Sequence, residues 1–335
     1  MLLLMKSHEA EGTKKLKTPN QLSLHQNKQA TPDALVERTG RWARLGDAER
    51  KRRAAEAANQ KDLDTLWSLA EAHLILYGGS GAKVSTNTLQ AYQRGVQVLL
   101  ESWAGENLLR PSNDAGALWL RGLEAQGLSP STLRVRLAAA KALYRALRWA
   151  NATEAVPFAD ARAAKERTAA HDKRQPYSEQ DLARLLEHAE GQDRLLVLLG
   201  SYAGLRVSEM VRLEWRDIDF SARKLTVRQG KGNKTRRVTL SRTLLQALWE
   251  ARGEGGVLEV SSRSRVYRRL KSLCLAAGVE FRGVHALRHY TGTRVYRETR
   301  DLNEVAHVLG HASIETTRVY AAYDKAVKKD AVSDW

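Results

Sequence analysis

Cysteine is almost missing from this 335-residue chain, in which Cys274 is the single one. An internal disulfide and a cysteine-based zinc cage are therefore excluded. The apolar helical pattern around Cys274, with Leu270, Leu273 and Leu275, reads as packing in a reducing cytoplasm. Long apolar runs are missing too. Met1-Leu2-Leu3-Leu4-Met5 is closed by Lys6 and is far too short for a signal sequence, and no stretch approaches a membrane span. Gly78-Gly79-Ser80-Gly81-Ala82-Lys83 lacks the terminal Gly-Lys-Ser/Thr of a phosphate loop and reads as a linker between helices. No clustered acids or His/Cys ligand set argues for a metal, and no cofactor is expected.

Acidic residues are in short supply. With 38 Asp+Glu against 55 Lys+Arg, the net charge is +17. Such an excess calls for a polyanion, and nucleic acid leads a membrane surface because no lipid anchor or long apolar segment accompanies the charge.

The length suffices for two domains, each with its own core. Residues 1–60 are polar and basic, with few large apolar positions before Trp42. They read as a partly flexible extension that ends in a charged helix over Asp47 to Asn59. Residues 61–150 read as a helical domain. Its most informative helix opens at Ser129-Pro130 and buries Leu133, Leu137, Ala140, Tyr144 and Leu147. Arg134, Lys141, Arg145 and Arg148 align on an adjacent face with no interleaved acid, which favours DNA phosphate contact over a salt-bridged surface. Residues 151–177 read as an interdomain linker.

Ser178-Glu179-Gln180-Asp181 resembles a capping box and opens a second domain over residues 178–335. Short strand candidates at Ile218 to Phe220, Leu225 to Val227 and Arg237 to Leu240 interrupt further helical patterns. The predicted fold is mainly α, with a small antiparallel β-sheet in the C-terminal domain.

Four blocks in this domain carry unusual polar residues. They are Ala203-Gly204-Leu205-Arg206-Val207-Ser208-Glu209, Gly230-Lys231-Gly232-Asn233-Lys234-Thr235-Arg236, His285-Ala286-Leu287-Arg288-His289, and Leu309-Gly310-His311 followed by Thr316-Thr317-Arg318-Val319-Tyr320. In these blocks and their order the chain resembles the tyrosine site-specific recombinases of the integrase and Xer family. The resemblance covers Tyr177 to about Tyr323, with a weaker match over about residues 62–150 to that family's core-binding domain. It implies a helical core-binding domain that clamps DNA, joined to a tyrosine-recombinase catalytic domain. It also implies six catalytic side chains: Arg206, Lys231, His285, Arg288, His311 and Tyr320.

The chemistry of these residue types agrees. A phenol with an ordinary pKa of about 10 needs help to attack a phosphodiester, and His285 is the candidate proton acceptor for Tyr320. The guanidinium forks of Arg206 and Arg288 suit two non-bridging oxygens, with His311 as a further donor. Lys231, on a glycine-flanked tip, is the candidate general acid for the departing 5′ oxygen. The resemblance implies a 3′-phosphotyrosyl intermediate, double-stranded DNA as partner and self-association as a tetramer on paired sites. A paralogous recombinase or accessory protein is a further candidate partner, and the expected location is the cytoplasm at the nucleoid. Two other readings are a type IB topoisomerase and a noncatalytic DNA-binding protein derived from a recombinase. His289 and His307 read as packing or surface histidines, Tyr323 as a rival nucleophile, and Glu209 as a structural acceptor. Val284 stands before His285 where the family commonly has proline.

Overall fold

Side-chain caps set many of the element boundaries. In the computed structural model of the protein, residues 32–166, 175–228, 235–260, 262–311 and 317–324 are described. The expected arm up to residue 31, the tip carrying Lys231 and the tail after Asp324 lie outside the described residues. The chain divides into two units, Met1–Glu166 and Arg167–Trp335.

The first unit is helical: α1 Pro32–Ala43, α2 Asp47–Gln60, α3 Leu63–Tyr77, α4 Thr86–Ser102, α5 Ala115–Ala125 and α6 Pro130–Trp149. Asp62, Ser85 and Ser129 each accept a backbone N–H of the helix they precede, which satisfies donors that a helix start leaves open. Helix α6 packs on α3 and α4 and buries Leu133, Leu137, Ala140, Tyr144 and Leu147, the stripe read from the sequence. The Tyr144 hydroxyl donates to the Leu108 carbonyl at 2.8 Å.

Two boundaries change. From residue 32 onward the chain is part of the core and not an extension. Leu35 and Trp42 of α1 are buried with Ala54, Ala57 and Ala58 of α2. Trp42 Nε1 donates to Ser68 Oγ at 3.0 Å, and Arg38 pairs with Glu71 at 3.2 Å. Few large apolar residues were visible here because α2 buries alanines, whose small side chains let helices approach closely. The stretch after α6 likewise stays on this core. Phe158, 2% exposed, stacks on Trp103 with ring centroids 5.5 Å apart, and Ala161 is buried.

The second unit contains α7 Glu179–His188, α8 Gly191–Ser201, α9 Val207–Met210, β1 Ile218–Asp219, β2 Lys224–Val227, β3 Arg236–Thr239, α10 Arg242–Glu250, α11 Arg263–Ala276, α12 Val284–Thr299 and α13 Leu302–Leu309. Residues 318–324 form a last helical stretch. Ser178 and Asp181 make the expected capping box. The sheet is antiparallel in the order β1-β2-β3, with Leu225 opposite both Ile218 and Val238. All three side chains are buried, so one face of the sheet closes the core. Helix α8 is buried from Leu195 to Ser201 and packs against α10, α11 and α12. Cys274 is buried as expected, 3.5 Å from the Tyr177 hydroxyl. No helix among the described residues is long and apolar enough to cross a membrane.

Trp42→Ala is expected to cost about 3–5 kcal/mol in urea unfolding of the whole chain. A loss below about 1 kcal/mol would place α1 outside the core.

Candidate active site

Glu209 collects its neighbours. Arg206, at the N-cap of α9, donates its backbone N–H to Oε2 at 2.9 Å and Nη1 to Oε1 at 2.8 Å. Arg236, from β3, sets Nη1 on Oε1 at 2.9 Å and Nη2 on Oε2 at 2.8 Å. Burial alone would raise the carboxyl pKa, but the bonds and charges of Arg236 and Arg206 outweigh it and hold the group at about 2. Glu209 is thus the structural acceptor the sequence suggested. The fork from β3 was not foreseen, because a strand residue 27 positions away carries no periodic link to it.

Arg288 comes from α12 and is 1% exposed. It donates to the Gly204 carbonyl and, at 2.6 Å, to the Leu309 carbonyl, with Glu209 Oε2 at 3.9 Å. Burial first, then the nearby Arg206 and Arg236, depress its pKa to about 9. It therefore stays charged at neutral pH. Three guanidinium groups share one carboxylate, a surplus that suits an incoming phosphate.

Helix α13 ends at Gly310, where φ is +63° and an added Cβ would lie 2.5 Å from Arg236 Cδ. Only glycine fits both the left-handed turn and the close approach. His311 follows, partly buried, with Nδ1 3.0 Å from Thr317 Oγ1. Burial, then Arg288, Arg206, His285 and Arg236, lower its pKa to about 4, so the ring is neutral at pH 7. In the tautomer whose Nδ1 accepts from Thr317, Nε2 carries the hydrogen and can donate to an anion.

Tyr320 is 2% exposed. Its ring lies parallel to His311, within 12° and with centroids 6.3 Å apart. Its hydroxyl is 3.2 Å from Nδ1 of His289. Of the two readings of His289, packing and surface, burial supports packing, to which the structure adds a hydrogen-bond contact with the phenol. The signal was present, since His285 and His289 are four apart and share a helix face. His285 is exposed, with its ring edge-on to His289 at 4.8 Å. His307 is exposed as expected, and Tyr323 is partly buried.

Of the six expected catalytic residues, Arg206, Arg288, His311, His285 and Tyr320 are gathered by these contacts and charges, and Lys231 lies outside the described residues. The four α6 cations do not act alike. Arg134 and Arg145 are exposed, whereas Lys141 Nζ donates to the Ala161 carbonyl at 3.3 Å and Arg148 Nη1 to the Ala155 carbonyl at 3.2 Å. The latter pair ties the following segment to α6. His73 has its pKa lowered by burial and by Arg145 and Arg148.

Comparison with known proteins agrees with this geometry. Residues 177–326 match the phage integrase family, and residues 80–151 match the phage integrase N-terminal SAM-like domain. Tyrosine recombinase XerC of Xanthomonas campestris pv. campestris strain B100 is 31% identical over 265 residues, which cover 72% of this chain and 80% of that one. XerD of Rhizobium meliloti is 30% identical over 271 residues, 70% of this chain and 85% of its own. A crystal structure of the XerH site-specific recombinase bound to palindromic difH substrate overlays with a TM-score of 0.63 at 19% identity, covering 92% of this chain and 98% of the other. A lambda integrase dimer bound to a COC′ core site overlays with a TM-score of 0.62 at 18% identity, covering 76% of each chain. The fold is that of a tyrosine recombinase. The chain belongs to the phage integrase family of site-specific tyrosine recombinases, enzymes of DNA strand cleavage and rejoining.

Glu209→Ala is expected to cost about 3–5 kcal/mol in urea unfolding, because it leaves the buried Arg288 and the partly buried Arg206 and Arg236 against no carboxylate. The pH dependence has a definite sign. His311 and Glu209 both have depressed folded-state pKa values, so their stabilisation is complete above the unfolded values and is lost on acidification. The His311 part is lost between about 6.5 and 4, the Glu209 part between about 4.5 and 2. His311→Gln should flatten the upper limb of the stability profile, measured as unfolding midpoint against pH.

Proposed function

We propose that Tyr320 is the nucleophile that attacks the phosphodiester and leaves a 3′-phosphotyrosyl bond and a free 5′ hydroxyl. Arg206 and Arg288 bind the two non-bridging oxygens, and His311 donates from Nε2. The tyrosyl proton leaves to an imidazole of α12, and Lys231 protonates the departing 5′ oxygen. The observation that carries this reading is the meeting of Arg206, Arg288, His311 and Tyr320 through shared charges and ring contact. Charge that develops on phosphate oxygens in the transition state is stabilised by preorganised cations, so no nucleotide triphosphate or metal is called for. Keeping the phosphodiester energy in the tyrosyl bond lets a new 5′ hydroxyl reverse the step.

The partner is double-stranded DNA, and the working form is a tetramer on paired sites in the cytoplasm at the nucleoid. Support comes from related structures, which include a lambda integrase tetramer bound to a Holliday junction with a TM-score of 0.61 to this chain. A paralogous recombinase or accessory protein is a further partner of the same assembly. The helical unit, residues 32–161, contributes backbone contacts through Arg134 and Arg145. The catalytic unit begins at Tyr177.

Incubated with a nicked duplex site that loses its 5′ fragment, the wild-type protein and Tyr323→Phe should become covalently joined to DNA, and Tyr320→Phe should not. Trapping by Tyr320→Phe overturns the assignment. Arg134→Ala with Arg145→Ala should reduce the slope of log affinity against log salt by about 2 in a binding titration. An unchanged slope removes both residues from the interface.

A further inference from the structure

The nucleophile sits in a seat built by α12. His285, Arg288, His289 and Gly292 fall at i, i+3, i+4 and i+7, one face of that helix. At position 292 an added Cβ would lie 2.4 Å from Tyr320 Cζ and 2.5 Å from Cε1, so only glycine lets the ring lie directly on the helix backbone. With the ring there, its hydroxyl is 3.2 Å from His289 Nδ1. That ring nitrogen is within the reach a proton acceptor needs. His289 is 6% exposed and Tyr320 2%, so bulk water is largely shut out from this pair. His285 stands edge-on to His289, exposed, with centroids 4.8 Å apart.

We infer that His289, rather than His285, receives the hydroxyl proton of Tyr320 in DNA cleavage. The inference rests on Tyr320 being the nucleophile. As the Oη–P bond forms and the P–O5′ bond breaks, the Oη hydrogen passes to His289 Nδ1, and the departing O5′ is protonated separately by the general acid. Religation runs the same transfers backwards: the attacking 5′ hydroxyl gives up its proton, and His289 returns one to the leaving phenolate. Gly292 is the positioning residue of this pair, because it allows the ring its place.

The test is single-turnover cleavage of a nicked duplex by the full chain, with DNA affinity and melting temperature measured alongside. His289→Asn keeps a hydrogen-bond acceptor near the Nδ1 position but accepts no proton. It should slow cleavage by about 100-fold with affinity and melting little changed. Its log rate should climb steadily with pH, where the wild type levels off. The defect should persist on a substrate with a 5′-bridging sulfur, whose thiolate leaves without a general acid. His285→Asn should retain the wild-type levelling. Wild-type cleavage by His289→Asn, rescue of it by the sulfur substrate, or loss of the levelling in His285→Asn alone each overturns the inference. Gly292→Ala, which leaves the imidazole intact and displaces the ring, should also slow cleavage, and a wild-type rate overturns the seat. Tyr320→Phe run in parallel separates the two levels: covalent product there defeats the choice of nucleophile, whatever His289 does.

Discussion

One buried carboxylate holds the site together. Glu209 takes forks from α9 and β3 and lies 3.9 Å from a third guanidinium on α12. Without it, three like charges would face one another in a poorly hydrated place. Two unit charges 4 Å apart interact by about 4 kcal/mol at an effective dielectric constant of 20, so repulsion among Arg206, Arg236 and Arg288 is of the same order as the attraction that Glu209 supplies. One carboxylate against three guanidiniums leaves the free site short of negative charge. Burial first, and then the neighbouring cations, depress the pKa values of Arg288 and His311 to about 9 and about 4. In the proposed reaction a phosphodiester anion relieves that shortage.

Helix α12 joins this electrostatic arrangement to Tyr320. Its first three turns carry Arg288 toward the carbonyls of Gly204 and Leu309 and, on the same face, His289 and Gly292 toward Tyr320. Arg288 and Tyr320 are therefore referenced to one rigid element. The Gly310 turn closes the arrangement from the other side, since it lets His311 follow directly after the backbone that Arg206 and Arg288 both engage. Reaction geometry depends on such fixed references, because small displacements of reacting atoms cost large factors in rate.

Much of this was legible in the residues. Caps at Ser129 and Ser178 marked helix starts, the Leu133-to-Leu147 stripe marked a core face, and the short strands were located to within a residue or two. The motif blocks named five of the residues that now share contacts or charges, with Lys231 outside the described residues. Long-range pairing was not legible. Arg236 lay within a motif block but had no feature tying it to Glu209, and Gly292 gave no sign that an aromatic ring would use its missing side chain. The docking of α1 was hidden by composition: charged residues surround Leu35 and Trp42, and alanines supply the rest of the contact. The α6 cations misled in part because a stripe on a helix shows direction, not what lies across from it. Lys141 and Arg148 meet backbone carbonyls there.

We propose that the cations around Glu209 await a phosphate. This is tested most directly by NMR titration of the His311 imidazole, first in the free protein and then bound to duplex DNA containing the recombination site, with Tyr320→Phe used to prevent reaction. The ring is expected to stay neutral in the free protein down to about pH 4, and its pKa to rise on DNA binding as the anion offsets the arginines. An ordinary value near 6.5 in the free protein, or a value that DNA leaves unmoved, would contradict it.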